Sequence, residues 1–397
     1  MAFPFEEFRI EAIKQEHSPE FLEATISYAK KLDNQGLPVI FSRQHLASLT
    51  GMPSDIINEI IKFRDNQYIR FRIPKRNRKG YRIIMAPESK LLYLQKWINK
   101  NILQQIPVLD CCTAFVPNSS LATNGYIHRS SSIILKADLL KFFDTISERR
   151  VYGFFKYLGY HPNVAYDLAT LTTVCPTEEF WNSLTEDELK KIGNKIKIAE
   201  AVLPQGAPTS PQLANCLANS LDIRLLKLAS KLNCRYSRYA DDLVFSIGKN
   251  GGRLPALGLV KKIIENEGFF LNEEKTSYLK KGMKQYVTGL TVTHGFHVSK
   301  KFRQDVYKHL YYSIKYGPFE HLKRWAKDNQ VKSGIIYSFK DWLLGKIAYI
   351  YSIDYKNGKK MFDQFNKIHW GFEDKTSESN SSFSETSDNV DISKKIE

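Results

Sequence analysis

Three aspartates at two places in this chain have the types and surroundings expected of a divalent-metal site. Asp241 and Asp242 are adjacent within the segment Cys234–Ser246, whose flanks are rich in aromatic and β-branched residues. Such flanks predict a β-hairpin with the paired aspartates at its turn. Adjacent carboxylates repel each other, and they are tolerated where the turn is solvated or where a divalent cation binds. Taken alone, the pair leaves both interpretations open.

The third aspartate, Asp138, follows the strand-like run Ile133–Ala137. A lone aspartate at the end of a strand is usually a turn former. Two strands that each carry carboxylates can instead share two Mg²⁺ ions, which lie about 3.5–4 Å apart and hold the attacking and leaving oxygens of a phosphoryl transfer. Mg²⁺ prefers a few carboxylates together with substrate phosphates to an all-protein cage. The three aspartates therefore predict a metal-dependent nucleotide polymerase.

A segment that contains glycine and proline, Leu203–Asn215, lies between the two acidic elements. It predicts a loop that opens a helix, because leucines at helical spacing continue beyond it. The order of Asp138, this loop and the tetrapeptide Tyr239–Asp242 resembles the palm of reverse transcriptases. This resemblance implies an α+β, right-hand polymerase fold with fingers, a palm of antiparallel sheet plus helices, and a helical thumb.

Further segments extend the resemblance over about residues 50–370. The basic segment Phe71–Arg82 is similar to the fingers hairpin of that family, and Gly268–Thr276 is similar to its next palm motif. Asn124–His128 and Val287–Gly289 resemble two signatures of retron reverse transcriptases, an Asn-Ala-x-x-His element and a Val-Thr-Gly triplet. Gly125 stands where alanine is usual. The sequence is therefore identified as similar to bacterial retron reverse transcriptases.

The resemblance implies a role for each site residue. It implies DNA synthesis from dNTPs on two Mg²⁺ ions, or Mn²⁺ in their place, with Asp138 and Asp241 as primary ligands and Asp242 in support. The other implied catalytic and nucleotide-binding residues are the general acid Lys275, the steric gate Phe143, the nucleotide contact Gln205, the triphosphate contact Arg82 and the primer-positioning Tyr239. The implied RNA contacts are Lys75, Arg76, Arg78, Lys79, Asn124, His128, Val287, Thr288 and Gly289. A core position for Phe143 and a solvated face for the basic run remain the alternatives.

The retron resemblance also implies partners. The enzyme would reverse transcribe part of a cognate structured noncoding RNA into RNA-linked single-stranded cDNA, called msDNA, and would serve antiphage defence with a separately encoded effector protein. The alternatives are another defence-associated or group II intron-like reverse transcriptase, an RNA polymerase with the same palm, and a scaffold that holds an RNA–DNA hybrid against an effector. Phe143 favours dNTPs, and the intact carboxylate triad argues against a purely structural role.

Length, charge and composition predict a globular protein that binds a polyanion. The chain has 397 residues, 43% of them hydrophobic, and a formal net charge of +16. Residues 373–397 hold seven acids and three bases, so residues 1–372 carry +20. This excess favours nucleic acid as a partner, although a generic basic protein would show it too.

Five cysteines without C-x-x-C spacing argue against a zinc site or a disulfide framework. We expect a cytoplasmic protein without membrane contact, because neither a secretory signal nor a membrane span is recognised.

The motifs divide the chain into four predicted parts. Residues 1–65 form an N-terminal helical extension, 66–290 the fingers and palm, 291–372 a helical thumb and 373–397 a disordered acidic, serine-rich tail. Ser42 is expected to cap a helix that runs to Thr50. Within the palm, the charged segment 176–201 is expected to be a peripheral insertion. Tyrosines at helical spacing after residue 300 favour a packed stripe over a base-stacking platform.

Overall fold

The computed structural model describes residues 3–74, 81–117, 119–194, 196–197, 199–248, 251–293, 295–329 and 338–370. The chain divides into two compact units, Met1–His297 and Val298–Glu397. The first unit thus ends seven residues beyond the predicted boundary between palm and thumb, and the four-part domain assignment stays a prediction. The tail of residues 373–397 and the predicted turn of the basic hairpin, Asn77–Gly80, lie outside the described residues. Every described helix is too short or too polar to cross a membrane.

The described elements are a mixture of helices and antiparallel strands. The helices of the first unit are α1 (Phe5–Lys14), α2 (Pro19–Asp33), α3 (Arg43–Thr50), α4 (Ser54–Lys62), α5 (Ser89–Asn101), α6 (Leu121–Ile127), α7 (Glu148–Leu158), α8 (Pro162–Thr172), α9 (Glu178–Asn182), α10 (Glu186–Gly193), α11 (Ser210–Leu217), α12 (Asn219–Lys231) and α13 (Leu257–Asn266). The second unit contains α14 (Lys300–Tyr316), α15 (Pro318–Asn329), α16 (Phe339–Ile353) and α17 (Tyr355–Phe365). The strands are β1 (Tyr68–Pro74), β2 (Tyr81–Pro87), β3 (Ile133–Leu139), β4 (Arg235–Tyr239), β5 (Asp242–Ile247), β6 (Leu271–Lys280), β7 (Tyr286–Val287), β8 (Leu290–Thr291) and β9 (His297–Val298).

Local chemistry sets several of these boundaries as the sequence predicts. The Ser42 hydroxyl accepts a hydrogen bond from the His45 N–H at 3.2 Å and caps α3. This helix ends at Thr50 because Gly51 takes a φ of 68°, in the left-handed region. The sequence predicts Tyr68–Pro74 and Tyr81–Met85 as the arms of the basic hairpin, and this is confirmed, because β1 and β2 pair antiparallel along their whole length.

The four-stranded sheet, in the order β4-β5-β3-β6, carries the acidic motifs on antiparallel strands. Tyr239 pairs with Asp242, so the two residues of the hairpin turn are Ala240 and Asp241. The expectation that both aspartates occupy the turn was wrong, because Asp242 begins β5. Ala240 takes a φ of 55°, a left-handed conformation that is uncommon for alanine. The Leu139 N–H donates to the Asp241 carbonyl at 2.9 Å and ties the turn to β3.

A hydrophobic core of the first unit joins the N-terminal helices to this sheet. It includes Leu32 of α2 and Leu46 of α3 together with Phe155 of α7 and Phe245 of β5. The helices before residue 65 are therefore packed into the same core as the sheet and are not a separate layer.

The charged segment 176–201, which the sequence predicts to be a peripheral insertion, is mostly exposed and makes a small apolar contact next to the sheet. Its Ile192 and Ile196 form a buried cluster with Leu140, Val202 and Phe270. Leu140 follows Asp138 by two residues. Its apolar contact therefore lies beside the strand end that carries Asp138.

The second unit is helical over its described residues. Val306, Leu310 and Ile347 are among its buried apolar side chains. The expected packed tyrosine stripe on α14 was wrong for two of its members, because Tyr311 and Tyr312 are 56% and 40% exposed. Ser313, which lies between Tyr312 and Tyr316, is buried, whereas Ile314 and Lys315 are exposed together with the tyrosines.

A buried ion pair between β4 and α12 supports the hairpin. Arg238 and Asp222 are both almost completely inaccessible to solvent. The Arg238 Nε donates to the two carboxylate oxygens at 2.9 and 3.0 Å, and Nη2 donates to Oδ2 at 2.7 Å. Nη1 donates to the Asn215 Oδ1 at 3.0 Å and to the Ala240 carbonyl at 3.2 Å. Two helices and the hairpin turn thus meet at one guanidinium group.

We predict that Arg238→Met lowers the free energy of unfolding by about 3–5 kcal/mol, because it leaves the Asp222 carboxylate buried without its charge partner. Denaturant unfolding followed by circular dichroism measures this change. Lys261→Met is the matched control, since Lys261 pairs with Glu273 at the surface and its loss should leave the unfolding midpoint unchanged. Equal effects of the two substitutions would contradict a supporting role for the buried pair.

Candidate active site

Three carboxylates converge at one end of the four-stranded sheet. Asp138 on β3 pairs directly with Asp242 at the start of β5, and Asp241 precedes Asp242 in the turn. Directly opposed residues of antiparallel strands have Cα atoms about 4.5–5.5 Å apart. The sheet therefore brings together the aspartates that the sequence predicted to act jointly.

Two side chains of β6 contact Asp138. The Lys275 Nζ lies 3.1 Å from Oδ1 and 2.9 Å from Oδ2, and the Asn272 Nδ2 donates to Oδ2 at 3.2 Å. Burial raises the pKa of Asp138, and the Lys275 ammonium opposes that rise. The Lys275 side chain is 60% exposed. It can therefore leave Asp138 for another anion without crossing the protein interior.

Asp241 is a carboxyl group whose negative charge is costly at this position. Burial raises its pKa to about 6, and the carboxylates of Asp138 and Asp242 add to the rise. A divalent cation between such groups would remove this repulsion. Within the described residues, however, no three histidine, cysteine, aspartate or glutamate side chains are arranged to enclose an ion by themselves.

The loop that contains Gln205 lies against the β1–β2 hairpin. The Met85 N–H donates to the Gln205 carbonyl at 2.7 Å. Gly206 has a φ of 123°, and a Cβ there would lie 2.8 Å from the Ile84 Cγ2 and 3.0 Å from the Met85 carbonyl oxygen. This close approach requires glycine. The Gln205 side chain points the other way and donates from Nε2 to the Asp144 Oδ2 at 3.1 Å.

The other predicted nucleotide-binding residues are placed by the same elements. Phe143 is half-buried against the core with its ring centre 5.5 Å from that of Phe142, so its roles as gate and as packing residue remain compatible. Tyr239 ends β4 and is half-buried. Arg82 is exposed on β2, where it pairs with Ile73. The predicted RNA contacts Lys75, Arg76, Arg78 and Lys79 lie outside the described residues.

Asn124 and His128 lie inside the protein, which corrects the prediction that their side chains contact RNA. Both have no solvent exposure. The His128 Nδ1 and Nε2 lie 2.7 Å from the hydroxyls of Ser246 and Ser237, and the Ser237 hydroxyl donates to the Asn124 Oδ1 at 2.5 Å. Burial lowers the pKa of His128 to about 3, so its imidazole is neutral. These residues attach α6 to the back of the β4–β5 hairpin.

The Val287–Gly289 triplet forms a tight turn between β7 and β8. Val287 is buried and pairs with Leu290, while Thr288 and Gly289 have φ values of 47° and 83°. Two successive positive φ values are typical of a type I′ hairpin turn, for which glycine is favoured. Of the triplet, Gly289 is exposed and Val287 is not. A contact between this triplet and RNA can therefore involve the turn but not the valine side chain.

The two retron-like signatures meet in the structure. A Cβ on Gly125 would lie 3.2 Å from the Leu290 Cδ1, so α6 approaches β8 closely at this position. The glycine that departs from the usual alanine thus lies against Leu290, the residue that directly follows the second signature.

Sequence reasoning missed three residues that shape the site: Asp144, Asp222 and Arg238. Arg238 directly precedes Tyr239 in an otherwise strand-like run. Asp222 lies next to Leu221 in a leucine stripe of helical spacing. In both cases the sequence places a charged residue within or beside a run that is expected to be buried. This signal indicates a buried charge but does not identify the residue that pairs with it.

Residues 73–292 match the family model described as reverse transcriptase (RNA-dependent DNA polymerase). The retron Mx162 reverse transcriptase of Myxococcus xanthus is 33% identical over 273 residues, which cover 65% of this chain and 54% of that protein. The retron Mx65 reverse transcriptase of the same organism is 34% identical over 69% of this chain and 63% of its own length. The retron Ec86 reverse transcriptase of Escherichia coli is 26% identical over 85% of this chain and 92% of its own length. The chain thus spans between about half and two thirds of the length of the two Myxococcus relatives.

We predict that Asp241→Asn weakens Mn²⁺ binding by roughly tenfold or more, because even indirect supports of a metal ligand cost this much when removed. The folded-state pKa of about 6 lies above the ordinary value, so a proton occupies Asp241 below that pH and must be displaced by the ion. Wild-type affinity should therefore fall as pH decreases through 6. Titration calorimetry at pH 5 and pH 7.5 measures both effects. Glu273→Gln on the exposed end of β6 is the control, and wild-type affinity in the Asp241 variant would contradict the metal site.

Proposed function

We propose that this chain, which belongs to the reverse transcriptase (RNA-dependent DNA polymerase) family and is of the retron type, synthesises DNA on an RNA template. Family membership confirms the predicted right-hand polymerase fold. The observation that carries the proposal is the pairing of Asp138 with Asp242 beside Asp241 at one end of the palm sheet. The template is proposed to be a cognate structured noncoding RNA, and the product RNA-linked single-stranded DNA.

Enzymes of this family use divalent metal ions. We propose two Mg²⁺ ions, or Mn²⁺ in their place, held by Asp138 and Asp241 with Asp242 in support. When bound, such ions lower the pKa of the attacking hydroxyl and neutralise charge on the leaving pyrophosphate. Lys275 would leave Asp138 and donate a proton to the pyrophosphate, since its exposed ammonium already lies at the edge of the site. Tyr239 would orient the end of the primer from the last position of β4.

The nucleotide would be selected by residues of the palm and fingers. The half-buried ring of Phe143 would fill the space beneath the sugar and exclude a 2′-hydroxyl. Gln205 would contact the nucleotide near its 3′-hydroxyl, and Arg82 its triphosphate. These roles agree with the position of the Gln205 loop between the fingers hairpin and the segment after β3.

The RNA is proposed to contact the basic hairpin Arg70–Arg82 and the turn at Thr288 and Gly289. Asn124 and His128 would act indirectly, since they hold α6 and, through it, the β7–β8 turn. A separately encoded effector, a role in antiphage defence and a cytoplasmic location are parts of the same proposal. They rest on the similarity to retron enzymes.

We predict that co-expression with the noncoding RNA encoded beside the gene yields DNA joined to RNA by a 2′–5′ branch, the linkage made when synthesis starts from an internal guanosine 2′-hydroxyl. Debranching followed by sequencing detects this product. Asp241→Asn should reduce it to background without loss of folded protein, whereas Glu273→Gln should not change it. Primer extension without any branched product would overturn the retron part of the proposal and leave a generic reverse transcriptase. Absence of DNA synthesis from every RNA template would overturn the polymerase itself.

Phe143→Ala is expected to raise incorporation of rNTP relative to dNTP by roughly tenfold or more, the range that a small steric change in a pocket produces. Single-nucleotide incorporation on an RNA template gives the ratio. Phe143→Tyr keeps the ring and is the matched control. Unchanged sugar discrimination in an active Phe143→Ala enzyme would leave Phe143 as a packing residue alone.

A further inference from the structure

Asp144 is a buried carboxylate for which the roles above give no use. Only 6% of its surface is accessible, and it directly follows Phe143 on the segment after β3. Its Oδ2 accepts a hydrogen bond from the Gln205 Nε2 at 3.1 Å. We propose that Asp144 is a positioning residue that fixes the side-chain amide of Gln205 for the incoming nucleotide. This inference rests on the proposed polymerase function.

The backbones on both sides of this hydrogen bond are already fixed. The Gln205 carbonyl is bound by the Met85 N–H, and Gly206 packs tightly against β2. The Ile146 N–H donates to the Phe143 carbonyl at 3.0 Å, and the Leu203 N–H donates to the Ile146 carbonyl at 3.1 Å. The two segments therefore hold each other in register. The remaining freedom at Gln205 is the rotation of its side chain, which the bond to Asp144 restricts.

An ionised carboxylate also fixes which end of the amide faces it. It carries no proton, so it accepts only from the amide NH₂ group. The Gln205 Oε1 is then directed away from Asp144 and can accept a hydrogen bond from a donor such as a nucleotide hydroxyl. A protonated Asp144, or an asparagine in its place, can donate as well as accept. Either amide orientation would then be allowed, and half of the molecules could present the wrong atom.

Asp144 is ionised at neutral pH although its position opposes the charge. Burial raises its pKa to about 6, while Lys141 and the bond from Gln205 oppose the rise. Between its ordinary pKa and 6, the folded state holds a proton that the unfolded state lacks, so stability falls as pH rises through this window. Above pH 6 the full cost of the buried charge remains. A carboxylate kept only for stability would instead make the folded protein more stable when it is ionised. The pH dependence of stability therefore distinguishes a positioning role from a stabilising role.

The test compares wild type, Asp144→Asn, Gln205→Met and the double variant in steady-state incorporation on an RNA template–primer at pH 8. We expect Asp144→Asn to raise the KM for dNTP by roughly three- to tenfold, the loss of about one hydrogen bond, with a smaller change in kcat. The KM for a 3′-deoxy analogue (ddNTP) should change little, because it lacks the hydroxyl.

The double variant should be no worse than Gln205→Met, since the two residues act through one contact. The melting temperature of Asp144→Asn should equal or exceed that of wild type, and exposed Asp110→Asn is the control for charge.

A measurement on wild type alone does not depend on how the variants fold. The KM for dNTP should rise relative to that for ddNTP as pH decreases below about 6, because a protonated Asp144 no longer fixes the Gln205 amide. Protonation of the metal-site carboxylates affects both nucleotides equally and therefore cancels in this ratio. A ratio of the two KM values that does not change with pH would overturn the proposal. So would an active Asp144→Asn enzyme whose KM for dNTP equals that of wild type, or effects on KM in the double variant that are the sum of those in the two single variants. A wild-type enzyme that incorporates no nucleotide would contradict the polymerase function instead.

Discussion

The buried pair of Arg238 and Asp222 is the interaction on which the rest of the site depends. Its guanidinium binds the carbonyl of Ala240, the first turn residue of the hairpin that carries Asp241 and Asp242. Because a buried charge is stable only with its full set of partners, the pair fixes the distance between β4 and α12. The backbone of Arg238 adds to this constraint, since its N–H donates to the Cys111 carbonyl at 2.7 Å. The turn that carries Asp241 is thus attached to the buried interior of the protein.

The hairpin is held from both faces by polar contacts of different kinds. Tyr236 and Arg238 face α12, where the Tyr236 hydroxyl donates to the Asp222 carboxylate at 2.8 Å. Ser237 lies between them in sequence and faces α6, where it contacts His128 and Asn124. Successive residues of a strand point to opposite faces, so one short strand can bind both helices. A charged pair on one face and a neutral network on the other leave the turn with little freedom to move.

The electrostatics of the site oppose those of the chain as a whole. Residues 1–372 carry a net charge of +20, which favours the approach of a nucleic acid. At the site, burial raises the pKa values of Asp138, Asp144 and Asp241 and makes each negative charge costly. In our proposal the charges at Asp138 and Asp241 hold a bound cation, whereas the charge at Asp144 binds no metal ion. The Asp144 charge determines instead which way the side-chain amide of Gln205 is oriented.

The sequence by itself determined the motifs, their order and the elements that carry them. Strand-like flanks around Asp138 and Asp241, the cap at Ser42 and the arms of the basic hairpin are set by local chemistry, and all were found as expected. Tertiary structure decided which polar residues are buried. Asn124 and His128 face the interior, Tyr311 and Tyr312 face solvent, and the charged segment 176–201 packs beside Asp138. The physical reason is that burial and partnership depend on contacts between distant segments. Periodicity in the sequence shows which side of a helix or strand is apolar. Only the packed chain shows which other element covers that side, or which carboxylate pairs with a buried arginine.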